Sequence, residues 1–116
     1  MSISILTRIP KIEDFLKKEI SQIISSQVQD KRFKILNIVD VKVSGDLGIA
    51  TVYFTIIDGN KSDAPNVKSL EKFASMIRSK LSKFMNIRRV PKLIFKYDES
   101  LERYNHINSI LSTLSD

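Results

Sequence analysis

Ile12, Phe15, Leu16, Ile20, Ile23, Ile24 and Val28 recur at steps of three and four residues, the spacing that lays side chains along one face of an α-helix. The pattern predicts a helix from about Pro10 to Val28. Pro10 suits its first turn, where a backbone N–H has no intrahelical partner, and Glu13 and Asp14 complement the positive end of the helix dipole. From Ile35 the period drops to two. Ile35, Val39, Val41 and Val43 alternate with Leu36, Ile38, Asp40 and Lys42 in a run rich in β-branched residues, which predicts a strand. Ser44-Gly45-Asp46-Leu47-Gly48 has turn chemistry, and beyond it Ala50, Val52, Phe54 and Ile56 face one way while Thr51, Tyr53 and Thr55 face the other. The two strands form an antiparallel hairpin.

The polar stretch 58–65 reads as a surface loop, after which a helical stripe resumes: Val67, Leu70, Phe73, Ala74, Ile77, Leu81 and Phe84 fall on one arc, and Lys68, Lys72 and Lys83 on the opposite side. Met76 does not fit this wheel. In one straight helix from Val67 to Met85 it points into the basic face, and a kink or break at Ala74, Ser75 and Met76 would re-phase it. Pro91 ends the helical region. Leu93, Phe95 and Tyr97 then alternate with Lys92, Ile94 and Lys96 as a third strand, and Leu101, Tyr104, Ile107, Ile110, Leu111 and Leu114 predict a short terminal helix. The order is α, β, β, α, α, β and a helical tail, and with 116 residues and no long linker it makes one α+β domain spanning 1–116.

Charge changes the picture from fold to function. Residues 68–96 hold nine basic side chains against one acid, Glu71, a net +8, while the other 87 residues sum to −2. An ordinary surface helix mixes both signs. An excess confined to one quarter of the chain points to a polyanionic partner. Arg88 and Arg89, between the helix end and Pro91, can each grip a phosphate through a guanidinium fork, although complementing the C-terminal dipole of the preceding helix would account for one of them.

Other chemistry finds little material. There is no cysteine and a single histidine, His106, so thiol catalysis, a transition-metal centre and a Ser-His-Asp site lack their parts. Three glycines form neither a Walker A loop nor a dinucleotide fingerprint. Gly45-Asp46-Leu47-Gly48 matches the letters of the GXXG loop of KH domains, but it joins two strands and its aspartate would repel phosphate. The N-terminus lacks the basic and long apolar segments of a signal peptide, and the apolar arc of residues 67–84 is needed for the core rather than for a membrane surface. No enzyme, cofactor, metal, membrane or small-molecule substrate is expected. Tyr53 and Tyr97 lie outside any RNP-type sequence, which argues against base stacking on them.

Over about Arg8 to Ile110 the chain resembles the ribosome-binding factor A family of bacterial ribosome-maturation proteins. The residues that carry the resemblance are Lys18-Glu19-Ile20, Asp30-Lys31-Arg32, Val41-Lys42-Val43-Ser44-Gly45-Asp46-Leu47, Ala50-Thr51-Val52-Tyr53, Ala74-Ser75-Met76-Ile77-Arg78, Ile87-Arg88-Arg89-Val90-Pro91-Lys92-Leu93-Ile94-Phe95 and Asp98-Glu99-Ser100. The resemblance implies a KH-like fold of type II topology, α-β-β-α-kink-α-β with three strands packed on helices, in which an Ala-x-Gly helix kink replaces the GXXG loop. Met76 stands where the family usually has the kink glycine, Lys31 where it has the proline of Asp-Pro-Arg, and Lys92 where an acid is common.

The function so implied is that of a non-enzymatic, cytoplasmic, monomeric assembly factor. It would bind the small (30S) ribosomal subunit and its 16S rRNA, promote late 30S maturation and 5′-end processing, and serve in cold adaptation, with small-subunit ribosomal proteins and an assembly GTPase as further partners. Contact candidates are Arg78, Lys80, Lys83, Arg88, Arg89 and Lys92, with Arg8, Lys11, Lys31 and Arg32 as a second tier. The alternative is a general basic RNA- or DNA-binding module, an RNA chaperone with no specificity for the ribosome.

Overall fold

The computed structural model describes residues 2–83, 85 and 89–115. The elements are α1 (Ser2–Gln27), α2 (Lys31–Lys34), β1 (Leu36–Val43), β2 (Ile49–Ile56), a 3-10 turn (Lys61–Asp63), α3 (Val67–Ser82), β3 (Lys92–Tyr97) and α4 (Ser100–Ser115). The strands form one sheet in the order β1-β2-β3, with β1 antiparallel and β3 parallel to β2. Helix α1 lies along β1 and α3 along β3. Between helices and sheet sits a continuous core that includes Leu16, Ile20, Val41, Val52, Phe54, Ile77 and Leu81.

Helix α1 starts earlier than its pattern predicts, at Ser2, and passes through Pro10. Proline's fixed φ is already helical, so Pro10 forfeits one backbone hydrogen bond instead of opening the helix. Glu13 is consequently not in the first turn, and its Oε2 accepts a 2.7 Å hydrogen bond from the backbone N–H of Val43. That bond satisfies a donor on β1, an edge strand, as the Asp40 carboxylate does for the N–H of Val41 at 2.9 Å. Phe15, assigned to the apolar face, is 43% exposed.

In β1 the expected phase holds for only half the strand. Leu36 and Ile38 face the core, then the register shifts between Ile38 and Asp40, and Val41 is buried. The irregularity absorbs one extra residue, Val39, so the inward set changes parity along the strand. Strand β2 keeps strict alternation, with Ala50, Val52, Phe54 and Ile56 buried as expected. In the turn between them Leu47 adopts φ +61°, and the Asp46 carboxylate accepts from Gly48 N at 2.9 Å and from Ser44 Oγ at 2.8 Å. These bonds, led by that from Gly48, hold Asp46 below the usual carboxylate range.

Helix α3 opens on Asn66, whose side chain accepts from Ser69 N at 2.8 Å. It then runs uninterrupted through Ala74, Ser75 and Met76, so the break expected there is absent. Met76 is left 40% exposed on the lysine side, as an unbroken wheel requires. The core supplies the reason: Phe73, Ala74, Ile77 and Leu81 are all buried on one continuous arc, and a re-phased helix would turn part of that set outward. Val67, placed on the core arc by its spacing, is 72% exposed at the first turn. Phe84 lies outside the described residues.

Helix α4 leaves β3 through Asp98 and Glu99. The Glu99 carboxylate takes an ion pair from Lys61 and a longer one, 3.5 Å, from Arg103, and the Lys61 hydrogen bond is the main cause of its lowered pKa. Tyr104, Ile107, Ile110 and Leu111 are exposed, and among the described residues no other element packs along α4. The radius of gyration, 16.5 Å, exceeds the roughly 13 Å of a compact chain of this length, consistent with a helix standing off the body.

Candidate nucleic-acid interface

Strand β3 is an edge, and α3 runs beside it. Between them lies a groove of about 470 Å³ whose apolar wall includes Leu70, Ala74, Leu93 and Phe95 and whose rim carries Arg78 and Lys92. On the opposite flank of α3, toward α2 and the end of α1, a second groove of about 500 Å³ is lined by Phe33, Phe73 and Met76 with Arg32, Lys72 and Lys80. At 100° per residue Lys72, Met76 and Lys80 share an arc of about 80°, while Glu71 and Arg78 lie on the other side of the helix crest. Four residues of the basic run thus line the two grooves, Arg78 and Lys92 on one side of α3, where Glu71 joins them, and Lys72 and Lys80 on the other.

Several candidate cations are already engaged. The Arg78 guanidinium donates to the carbonyl of Val90 through Nε at 3.1 Å and Nη2 at 2.9 Å, so it braces the segment that joins α3 to β3 as well as lining the first groove. Lys80 Nζ donates to Gln27 Oε1 at 3.2 Å, which leaves two of its three N–H bonds for another acceptor. Arg32 is paired with Asp30, through Nε at 3.2 Å and Nη2 at 2.9 Å, and lies 5.2 Å over the Phe33 ring. The pair lowers the pKa of Asp30 and raises that of Arg32, in both cases chiefly through their side-chain hydrogen bonds.

Lys83, Arg89 and Lys92 are exposed, as are Arg8 and Lys11 on α1 and Lys31 on α2. Arg88 lies outside the described residues. Of the ten candidates the structure brings Arg78 and Lys92 together at one groove and Arg32 and Lys80 at the other. Lys72 and Met76 are not among the predicted contacts, yet both line the second groove; the misfit of Met76 on the helical wheel is the sequence signal for it.

Tyr97 packs edge-on against Phe54, with ring centres 5.7 Å apart at 86°, which agrees with the core-side phase expected of it. Among the described residues no group of three or more His, Asp or Glu side chains could hold a metal ion, and no helix is long and apolar enough to cross a membrane.

The helix, hairpin, crossover helix and parallel third strand define a KH-like α+β fold. Solved structures agree: the chain superposes on the crystal structure of ribosome-binding factor A from Thermus thermophilus with a TM-score of 0.65 at 22% identity, covering 77% of this chain and 93% of that one. A Thermus thermophilus ribosome-binding factor A homology model, fitted into the cryo-EM map of a 30S complex, gives a TM-score of 0.61 at 21% identity over 77% of this chain and 93% of its own. The family model for ribosome-binding factor A matches residues 8–111. Ribosome-binding factor A of Staphylococcus saprophyticus is 38% identical over 107 residues, 92% of this chain and 94% of the relative, and that of Natranaerobius thermophilus is 36% identical over 105 residues, 90% and 80%. The chain belongs to the ribosome-binding factor A family.

Proposed function

We propose that the protein is a non-enzymatic ribosome-assembly factor, a single KH-like RNA-binding domain that acts as a cytoplasmic monomer. It binds the small ribosomal subunit through 16S rRNA, promotes late 30S maturation and 5′-end processing, and serves in cold adaptation. The observation that carries this reading is the placing of basic side chains in grooves on both sides of α3, Arg78 and Lys92 on one and Lys72 and Lys80 on the other. Both sides of one rigid helix can then hold phosphate backbones, a mode in which shape rather than base sequence sets specificity. Family membership supports the choice of the ribosome among polyanions.

The test is co-sedimentation of the purified protein with small ribosomal subunits at near-physiological salt, with excess tRNA as competitor. Stoichiometric binding that survives the competitor is expected. Complete loss to tRNA would leave a general RNA-binding module, and indifference to nuclease treatment would point to an acidic protein as partner.

A further inference from the structure

The second groove contains a stack of unusual order. Phe73 and Phe33 lie face to face, with ring centres 4.2 Å apart and planes within 3°, and the Arg32 guanidinium lies over the Phe33 ring, 5.2 Å from its centre. Both rings are buried, whereas the Arg32 side chain is 65% exposed. Its guanidinium, a planar group, takes its position from two hydrogen bonds to Asp30 and from the Phe33 ring, and it is part of the groove lining. Because Asp30 offsets its charge, Arg32 is poorly suited to clamp a phosphate, and its planar face is the part that remains useful.

In the same groove stands Met76, an exposed apolar side chain, with the Asp30 carboxylate, Gln27, Gln29 and Ser69 also in the lining. Its polarisable thioether adapts to flat ligands. Lys72 and Lys80 flank it one helical turn away on either side. A planar guanidinium and a thioether with two ammonium groups next to them match the chemistry of a nucleobase with its phosphate. Paired bases cannot reach such a seat, because their faces are occupied by stacking within the duplex.

We propose that the groove between α2 and α3 is a binding site for an unpaired nucleotide of single-stranded RNA, whose base stacks on Arg32 and packs against Met76 while Lys72 and Lys80 hold the adjoining phosphate. This rests on the RNA-binding reading above and adds to it a distinction between paired and unpaired strands. Arginine planes serve as base-stacking surfaces in single-strand binders generally. The α3–β3 groove has no comparable plate, since the guanidinium of Arg78 at its rim is turned to the Val90 carbonyl.

The experiment uses the full chain and two probes, a single-stranded RNA hexamer carrying one 2-aminopurine and a fully paired RNA duplex of similar charge. Seating of the base should change 2-aminopurine fluorescence on binding. Arg32→Lys, which keeps the charge and removes the plane, and Met76→Gln, a mild change at an exposed helical position, should each weaken hexamer binding roughly tenfold and leave duplex binding within about twofold. Lys72→Gln and Lys80→Gln should weaken both probes and each lower the salt slope by about one.

Equal weakening of both probes by Met76→Gln, or hexamer affinity unchanged by Met76→Gln and by Arg32→Lys while the wild-type chain binds duplex and small subunits, would overturn the nucleotide site alone. A wild-type chain that binds neither RNA probe nor small subunits would overturn it together with the function on which it rests. Thermal melts of each variant show whether Arg32→Lys acts through folding, and Met76→Gln tests the site even if it does.

Discussion

Arg78 donates two hydrogen bonds to the carbonyl of Val90, twelve residues along the chain, and so ties the middle of α3 to the segment that delivers β3 to the sheet. A guanidinium can do this with two N–H groups of one fork, and a lysine cannot. Arg78→Ala should therefore lower folding stability by about 1 kcal/mol as well as weaken RNA binding. Arg78→Lys should restore charge and part of the binding without restoring stability. Urea denaturation alongside RNA titration separates the two effects, and an Arg78→Ala protein as stable as wild type would show that the bracing contributes nothing.

Phe73 stacks on Phe33 and meets Phe95 edge-on at 5.4 Å and 61°. Its truncation removes contacts with α2 and β3 at once. Phe73→Ala should cost about 3 to 5 kcal/mol, the usual range for a buried phenylalanine. At temperatures where the variant remains folded, contacts in the α3–β3 groove should persist. Calorimetry gives the first quantity, and RNA affinity measured well below the melting temperature gives the second.

Arg89 is exposed just before the buried Val90 and Pro91. Arg89→Ala should leave the melting temperature almost unchanged and reduce affinity for small subunits. If about five phosphates are neutralised by the whole surface, log K falls with log salt at about −0.9 per contact, a few hundredfold between about 50 and 200 mM. The variant should lower that slope by about one. A flat salt response of the wild type would contradict an electrostatic interface altogether.

Asp46 closes the β1–β2 turn by accepting from Gly48 and Ser44, and these bonds depress its pKa. A carboxylate with a folded-state pKa below its unfolded value stabilises the fold above the ordinary range, and that contribution is lost as pH falls through the folded value. Asp46→Asn keeps an acceptor oxygen but does not titrate. Its stability deficit relative to wild type should thus be largest near neutrality and shrink as pH is lowered from about 7 to about 3. Melting curves of the two proteins across that interval check the sign.

Elements with one long buried face are legible in the sequence because their period survives folding: β2 alternates without error, and Phe73, Ala74, Ile77 and Leu81 of α3 are the arc their spacing predicts. The misreadings have local causes. The shift between Ile38 and Asp40 inverts the parity of β1, and a run of letters with hydrophobic residues on both phases does not say where an extra residue is absorbed. The four-residue α2 is too short for a period, although Asp30 as its cap is present to be read. Met76 is a misfit that a break would explain; the structure keeps the helix and the misfit both. In the candidate site, the charge run locates α3, but which of its cations line a groove depends on which elements flank the helix, and that is a property of topology.

β2 and β3 are neighbours in the sheet, yet residues 57–91 lie between them in the chain. The hairpin of β1 and β2 closes over a five-residue connection, 44–48, whereas a parallel partner must wait for an entire crossover helix. For a polypeptide made one residue at a time this sets an order of events. The basic helix is present early, but the α3–β3 groove comes into being only when Lys92–Tyr97 has been synthesised and has found its place beside Ile49–Phe54. Prior to that moment the nascent chain carries the charge of α3 without the second wall of this groove, so any ligand that needs both walls must wait for β3.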